Sequence, residues 1–246
     1  MMLMKELQIN NLNYVHHVSL FNHYRILDTI TGFSASLTAG SINGLVGEMG
    51  SGGWLVSYLL AGRINDLTES SAILLNGQVI GNQTLRDISC YVGEGVIESP
   101  YRKLKNYPGR LKRKILNVKT VADQIKLGIL KTNNTMTLEK ISELFDLSGL
   151  NEKNERNGRI YRPLEFQSGE VWRASMAIGV AYQKKLFCFP WLEPHYLKYI
   201  LAGVNLEYIK MLKEMGCMLL IPISDDNYLK DISTQNLYLK KRKIIL

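Results

Sequence analysis

Hydrophobic and polar positions follow two rhythms along this chain. Residues 5–45 carry KELQINNLNYV, YRILDTI and, before Ala39–Gly40, GFSASLT, short runs that predict strands joined by turns. SINGLVG (41–47) is an apolar run that ends in glycine, the pattern of a buried strand. WLVSYLLAG (54–62) continues from it as an apolar helix closed by Gly62. AILLNGQVI (72–80) sets Asn76–Gly77 between two apolar runs, the signal of a hairpin. ISCYVG (88–93), KLFCF (185–189) and CMLLIPI (217–223) predict further strands, with closing strands at NLYL and KIIL. Helical spacing marks VADQIKLGIL (121–130), LEKISELFDLSGL (138–150), residues 170–183 and LEYIKMLKEMG (206–216), while NEKNERNG (151–158) reads as a surface loop. Antiparallel strands at one end and helices in the middle predict an α/β core with two appendages.

Composition narrows the class. A chain of 246 residues predicts one large domain with a lobe, and 46% hydrophobic with 21% charged residues is the balance of a soluble globular protein. No apolar run approaches the ~20 residues of a membrane span. The opening MMLMKELQINN holds Glu6 and has no apolar signal core. Cys90, Cys188 and Cys217 are widely separated, which excludes a disulfide framework and a cysteine-rich zinc site and suits a reducing, cytoplasmic compartment. Four histidines, among them the hairpin residues His16, His17 and His23, form no spaced ligand set, so no metal is expected.

Charge adds a local feature. The net charge is +8, and residues 102–119 (RKLKNYPGRLKRKILNVK) contain Arg102, Lys103, Lys105, Arg110, Lys112, Arg113, Lys114 and Lys119 with no acid. Those eight cations match the whole excess. Such clustering favours an anionic partner, with Tyr101 and Tyr107 interleaved as stacking groups for RNA bases. An anionic membrane surface would meet the same cations, and a solvated loop is the plainer reading. Lys240, Lys241, Arg242 and Lys243 read as an exposed turn in the final hairpin.

Between strand 41–46 and its helix lies Gly47-Glu48-Met49-Gly50-Ser51-Gly52-Gly53-Trp54. The spacing is that of the phosphate loop G-x-x-x-x-G-K-[ST], in which glycines let backbone N–H groups gather around phosphate at a helix N-terminus. Gly53 stands where the lysine should be and Trp54 where the magnesium-binding hydroxyl should be. The plain alternative is a glycine-rich strand-to-helix turn.

Taken with its neighbours, this loop resembles the ABC-type ATPases. ILDTITGFSASLTAGSINGLVGEMGSGGWLVSYLLAGR is similar to the opening of their nucleotide-binding domains, most of all in the G subfamily of ABC transporters. ILLNGQVI, ISCYVGE, TVADQI and FQSGEVWRASMAIGVAYQKKLFCFPWLEP follow in the family's order over about residues 5–243. The resemblance implies a P-loop NTPase fold with a RecA-like core. It also implies an antiparallel β subdomain over about 1–40 and 64–82, and a helical subdomain over about 100–168 that carries the basic insertion 102–119, within a single domain 1–246. Gly47, Gly50 and Gly52 would be the vestige of the phosphate loop, and Tyr24 or Phe21 the aromatic that stacks on adenine.

The departures fall where the family does its chemistry. The signature becomes Phe166-Gln167-Ser168-Gly169-Glu170, and Pro190-Trp191 replace the paired acids that would bind magnesium and activate water. Glu94 takes the place of the Q-loop glutamine, and Ser224 or Asp225 that of the switch histidine. Hydrolysis of ATP depends on positioning and electrostatic stabilisation, and loss of one stabilising group typically costs ~10²–10³ in rate. The expectation is a chain that is not an ATPase and needs no cofactor, weak nucleotide binding aside. Trp54 and Trp191 would fill the disused site, or be ordinary core aromatics. The expected role is docking to an anionic partner, RNA or a ribosome. The alternative is a non-catalytic subunit beside an ABC membrane protein or an active ATPase.

Overall fold

The structure, a computed structural model, describes residues 4–20, 24–64, 71–96, 115, 117–147, 159–164, 169–201 and 204–239. The chain divides into two compact units, one of residues 1–89 and 185–246 and one of residues 90–184.

The first unit holds two kinds of sheet. Strands β1 (Glu6–Leu20) and β2 (Tyr24–Thr38) pair antiparallel, from Glu6 opposite Thr38 to Leu20 opposite Tyr24. β4 (Ala72–Leu75) pairs antiparallel with β1, and β5 (Gln78–Val79) with β4 through the Asn76–Gly77 turn. Both turn residues have positive φ, 50° and 82°, which a two-residue hairpin requires. The sequence reading breaks residues 24–38 into two strands at Thr31-Gly32. The structure keeps one strand and spends the irregularity in the pairing, with register shifts on either side of Leu12 and with Asn11 and Gly32 at positive φ. Turn-forming residues here make a bulge, not a reversal of the chain.

The other sheet is parallel. β3 (Ile42–Val46) runs between β8 (Met218–Ile223) and β9 (Gln235–Tyr238), and β7 (Leu186–Cys188) lies beside β8. Every residue of β3, β7 and β8 is buried, which is why these segments read as continuous apolar runs. Helix α1 (Gly53–Leu60) packs on β7 and β8 and also on β1 and β2. α2 (Asn82–Ile88) is a helix that the sequence reading does not mark. The short strand β6 (Ser89–Tyr91) begins at the unit boundary.

In the second unit, α3 (Val121–Thr132) starts at a capping box formed by Thr120 and Asp123, and Thr137 caps α4 (Leu138–Leu144). α4 ends six residues short of the expected boundary, with Asp146 at positive φ just beyond. α5 (Gly169–Ala181) packs against both. In the first unit, α6 (Pro194–Leu201), another unmarked helix, precedes α7 (Val204–Glu214), which packs on β8. The three cysteines are buried, and none of them forms a disulfide. No helix among the described residues is long and apolar enough to cross a membrane.

Candidate functional site

The glycine-rich loop joins β3 to α1 in the first unit. The Gly47 amide donates to the Ile223 carbonyl at 2.8 Å, which fixes the loop's start to the end of β8. The backbone amide and hydroxyl of Ser51 both donate to the Glu48 carbonyl, at 3.1 and 2.6 Å, and close a tight turn. Gly50 and Gly52 have φ of 85° and 99°. At Gly52 a side chain is barred twice over, because a Cβ there would sit 2.9 Å from the Thr29 carbonyl oxygen.

Gly52 is the N-cap of α1 and offers no side chain to the helix amides. Their partner comes from β2. Asp28, only 2% exposed, accepts the Gly52 amide on Oδ1 at 2.6 Å and the Leu55 amide on Oδ2 at 2.9 Å. An anion on the first amides of a helix satisfies groups that have no partner within the helix and meets the positive end of its dipole. Burial nevertheless pushes the Asp28 carboxyl above the usual aspartate range, against the opposing pull of the Leu55, Gly52, Thr29 and Trp54 amides.

That direction sets a pH dependence. An acid with a raised pKa in the folded state contributes stability that is fully present below its unfolded value, about 3.9, and is lost as pH rises through the folded value. Asp28→Asn is expected to flatten this part of the stability curve from about pH 4 upward, read from urea midpoints of both proteins at each pH. Curves that stay parallel would remove Asp28 as the titrating group.

Beside the loop, Asp28, Glu48, Met49, Gly50, Gly53, Trp54 and Trp191 line a cavity of only about 10 Å³. That is about the least space that accepts one water molecule. Among the described residues, its walls hold two carboxyl side chains and two indoles, and no cation. Trp191 is 6% exposed and its Nε1 donates to the Gly47 carbonyl at 3.3 Å. Trp54 is half-buried, and its Nε1 is buried without a hydrogen-bond partner among the described residues. Deeper in α1, the buried Ser57 hydroxyl donates to the Phe189 carbonyl, tying the helix to the segment that leads through Pro190 to Trp191.

The structure thus brings together Gly47, Gly50, Gly52, Gly53, Trp54 and Trp191. Ser224 follows β8, its hydroxyl buried without a described partner, and does not line the cavity. The next residue, Asp225, caps a single turn of 3₁₀ helix through the Asn227 amide. Glu94 lies in the second unit on a turn after β6, its amide donating to the Tyr91 carbonyl at 3.0 Å. In that unit Gly169 opens α5, Glu170 lies 3.9 Å from Arg173, and Trp172 is buried. Tyr24 lies at the start of β2, and its side chain is outside the described residues, as are Phe21, Phe166, Gln167 and Ser168. Tyr101, Arg102, Lys103, Lys105, Tyr107, Arg110, Lys112, Arg113 and Lys114 are likewise outside them, with Lys240, Lys241, Arg242, Lys243 and the expected strand at KIIL. Lys119 is described: it is exposed and reaches Asn117 Oδ1 at 3.1 Å.

Asp28 is the functional-site residue that sequence reasoning misses. The signal was available, since Asp28 stands between Ile26 and Ile30 on one face of β2, an acid in the register of an apolar side.

No family model matches this chain, and no curated protein sequence matches it. Among solved structures, a bacterial Atm1-family ABC exporter with ATP bound shares the fold over 98% of this chain, at a TM-score of 0.57 and 18% identity. The likeness shows an ABC-type fold. This chain spans 38% of the exporter chain.

Proposed function

We propose that this chain is a catalytically inactive pseudo-ATPase. Its parent would be an ABC-type P-loop NTPase with a RecA-like core, most like the G subfamily of ABC transporters. The observation that carries the reading is the cavity beside the loop, about 10 Å³ in volume, whose described lining holds two indoles and two carboxyl side chains and no cation. Phosphoryl transfer needs lysine and metal charge around the phosphates, and no described residue lining this cavity is a cation. The fold then serves as a scaffold for binding. The partner class follows from the sequence. Eight cations without an acid over residues 102–119 favour an anionic macromolecule, and RNA, as in a ribosome, fits both the charge and the interleaved tyrosines.

The test has two arms. The purified chain is expected to show no magnesium-dependent ATP turnover above buffer, and turnover abolished by chelation would refute inactivity. Single-stranded RNA is expected to bind with strong salt dependence. Replacing Arg110, Lys112, Arg113 and Lys114 by glutamine should reduce the slope of log K against log salt by roughly 3, at ~0.7 per phosphate contact. An unchanged slope would remove the insertion as the RNA contact. A second reading, a non-catalytic subunit beside an ABC membrane protein or an active ATPase, is favoured by the likeness to an exporter. Co-purification with detergent-solubilised membranes in place of ribosome-sized particles would select it.

A further inference from the structure

The amides that open α1 already hold a carboxyl group, and the chain supplies it. Asp28 Oδ1 and Oδ2 each accept one amide, from Gly52 and Leu55, within a residue that is 2% exposed. Both bonds are charge-assisted when the carboxylate is ionised, and the two oxygens span the N-cap and the third residue of the helix. Glu48 adds a second acid to the same small cavity. We propose that the Asp28 side chain is a built-in occupant of this amide cradle, standing where a phosphate group would bind and excluding phosphate-bearing ligands by an intramolecular contact. The proposal rests on the reading of the loop as a disused phosphate loop and deepens it, because it names the group that closes the site.

The physical case is one of competition. Amides at a helix N-terminus bind a carboxylate or a phosphate by the same geometry, so one cradle holds one of them at a time. A carboxylate carried on the adjacent strand competes at a high effective concentration, with no translational entropy to lose on each encounter. An incoming phosphate would have to displace it into a cavity of about 10 Å³, beside a second acid and with no cation among the described lining residues. The indoles restrict the volume, whereas Asp28 occupies the hydrogen bonds. A merely structural cap would make a different prediction: its removal weakens the fold but gives the loop no new ligand.

Inorganic phosphate is the probe, titrated at constant ionic strength against wild type and Asp28→Gly, with the backbone amide signals of Gly52 and Leu55 followed by NMR. In wild type these two signals are expected to stay in place. In Asp28→Gly they are expected to shift with phosphate, with binding at least about tenfold tighter than any wild-type response. Thermal midpoints of the variant should rise with phosphate and not with chloride. If Asp28→Gly does not fold, Asp28→Ser, which keeps a small neutral acceptor, carries the same comparison. Equal responses from variant and wild type would overturn the proposal, and so would a phosphate response at these two amides in wild type. Failure of the parent reading is separate, since that would register as ATP turnover by the wild-type chain.

Discussion

Trp191→Ala is expected to lower the unfolding free energy by about 3–5 kcal/mol, the cost of removing a large aromatic from a packed interior. In a chain of this size that is a fall of roughly 6–20 °C in thermal midpoint. The residue is 6% exposed, closes one wall of the cavity beside the loop, and holds the Gly47 carbonyl through its indole N–H. Its loss therefore opens a void and strips a loop carbonyl of a donor. Trp54→Ala is expected to cost about half as much, because Trp54 is half-buried and its indole nitrogen holds no described partner. Urea denaturation with an unchanged m-value checks both. A cost below about 1 kcal/mol for Trp191→Ala would show that the indole is not a packing element of the site.

Much of the parallel sheet was legible because full burial leaves a plain mark. β3 and β8 are apolar at every position but Asn43, Gly44 and Pro222, and they read directly as strands. Asn43 is tolerated because its side chain donates to Ser41 and Leu219 and accepts from Gln235. The hairpin at Asn76–Gly77 was legible for a similar reason, since its two residues supply the positive φ that the turn demands. β2 was misread because Thr31-Gly32 carries the chemistry of a turn, and only cross-strand pairing with β1 decides that the chain continues. α2 and α6 are short helices with mixed faces, too brief for periodicity to single out.

The site was half legible. The motif spacing marks the loop and names Gly53, Trp54 and Trp191 as substitutions, yet it cannot say what takes over the duty of the lost groups. That answer lies in a long-range contact, Asp28 to Gly52 and Leu55, made across 24 and 27 residues. Motif matching compares residues position by position along the chain, and β2 lies outside the loop's own pattern. Apolar alternation around Ile26 and Ile30 flags Asp28 as an anomaly, but only the folded register turns the anomaly into a partner.

Two adjacent glycines give the sharpest check on this geometry. Gly52→Ala is expected to destabilise the protein by about 2–4 kcal/mol. Part of the cost is the left-handed backbone at φ 99°, and part is a methyl group 2.9 Å from the Thr29 carbonyl oxygen, which belongs to strand β2 and cannot rotate away. Relief would require α1 and β2 to separate, and that movement pulls the Gly52 and Leu55 amides from Asp28 on the same strand. Gly53→Ala is the contrast. A Cβ there meets nothing nearer than Pro222 Cβ at 3.4 Å, an ordinary contact, and the position is the first of the helix. Alanine should therefore be neutral or stabilise by up to about 1 kcal/mol, since it restricts the unfolded chain more than glycine does. Urea midpoints of the two variants should then fall on opposite sides of wild type or differ by most of the Gly52→Ala cost. Equal midpoints would mean that the loop does not hold Gly52 against β2, and the contact between Asp28 and the start of α1 would fall with it.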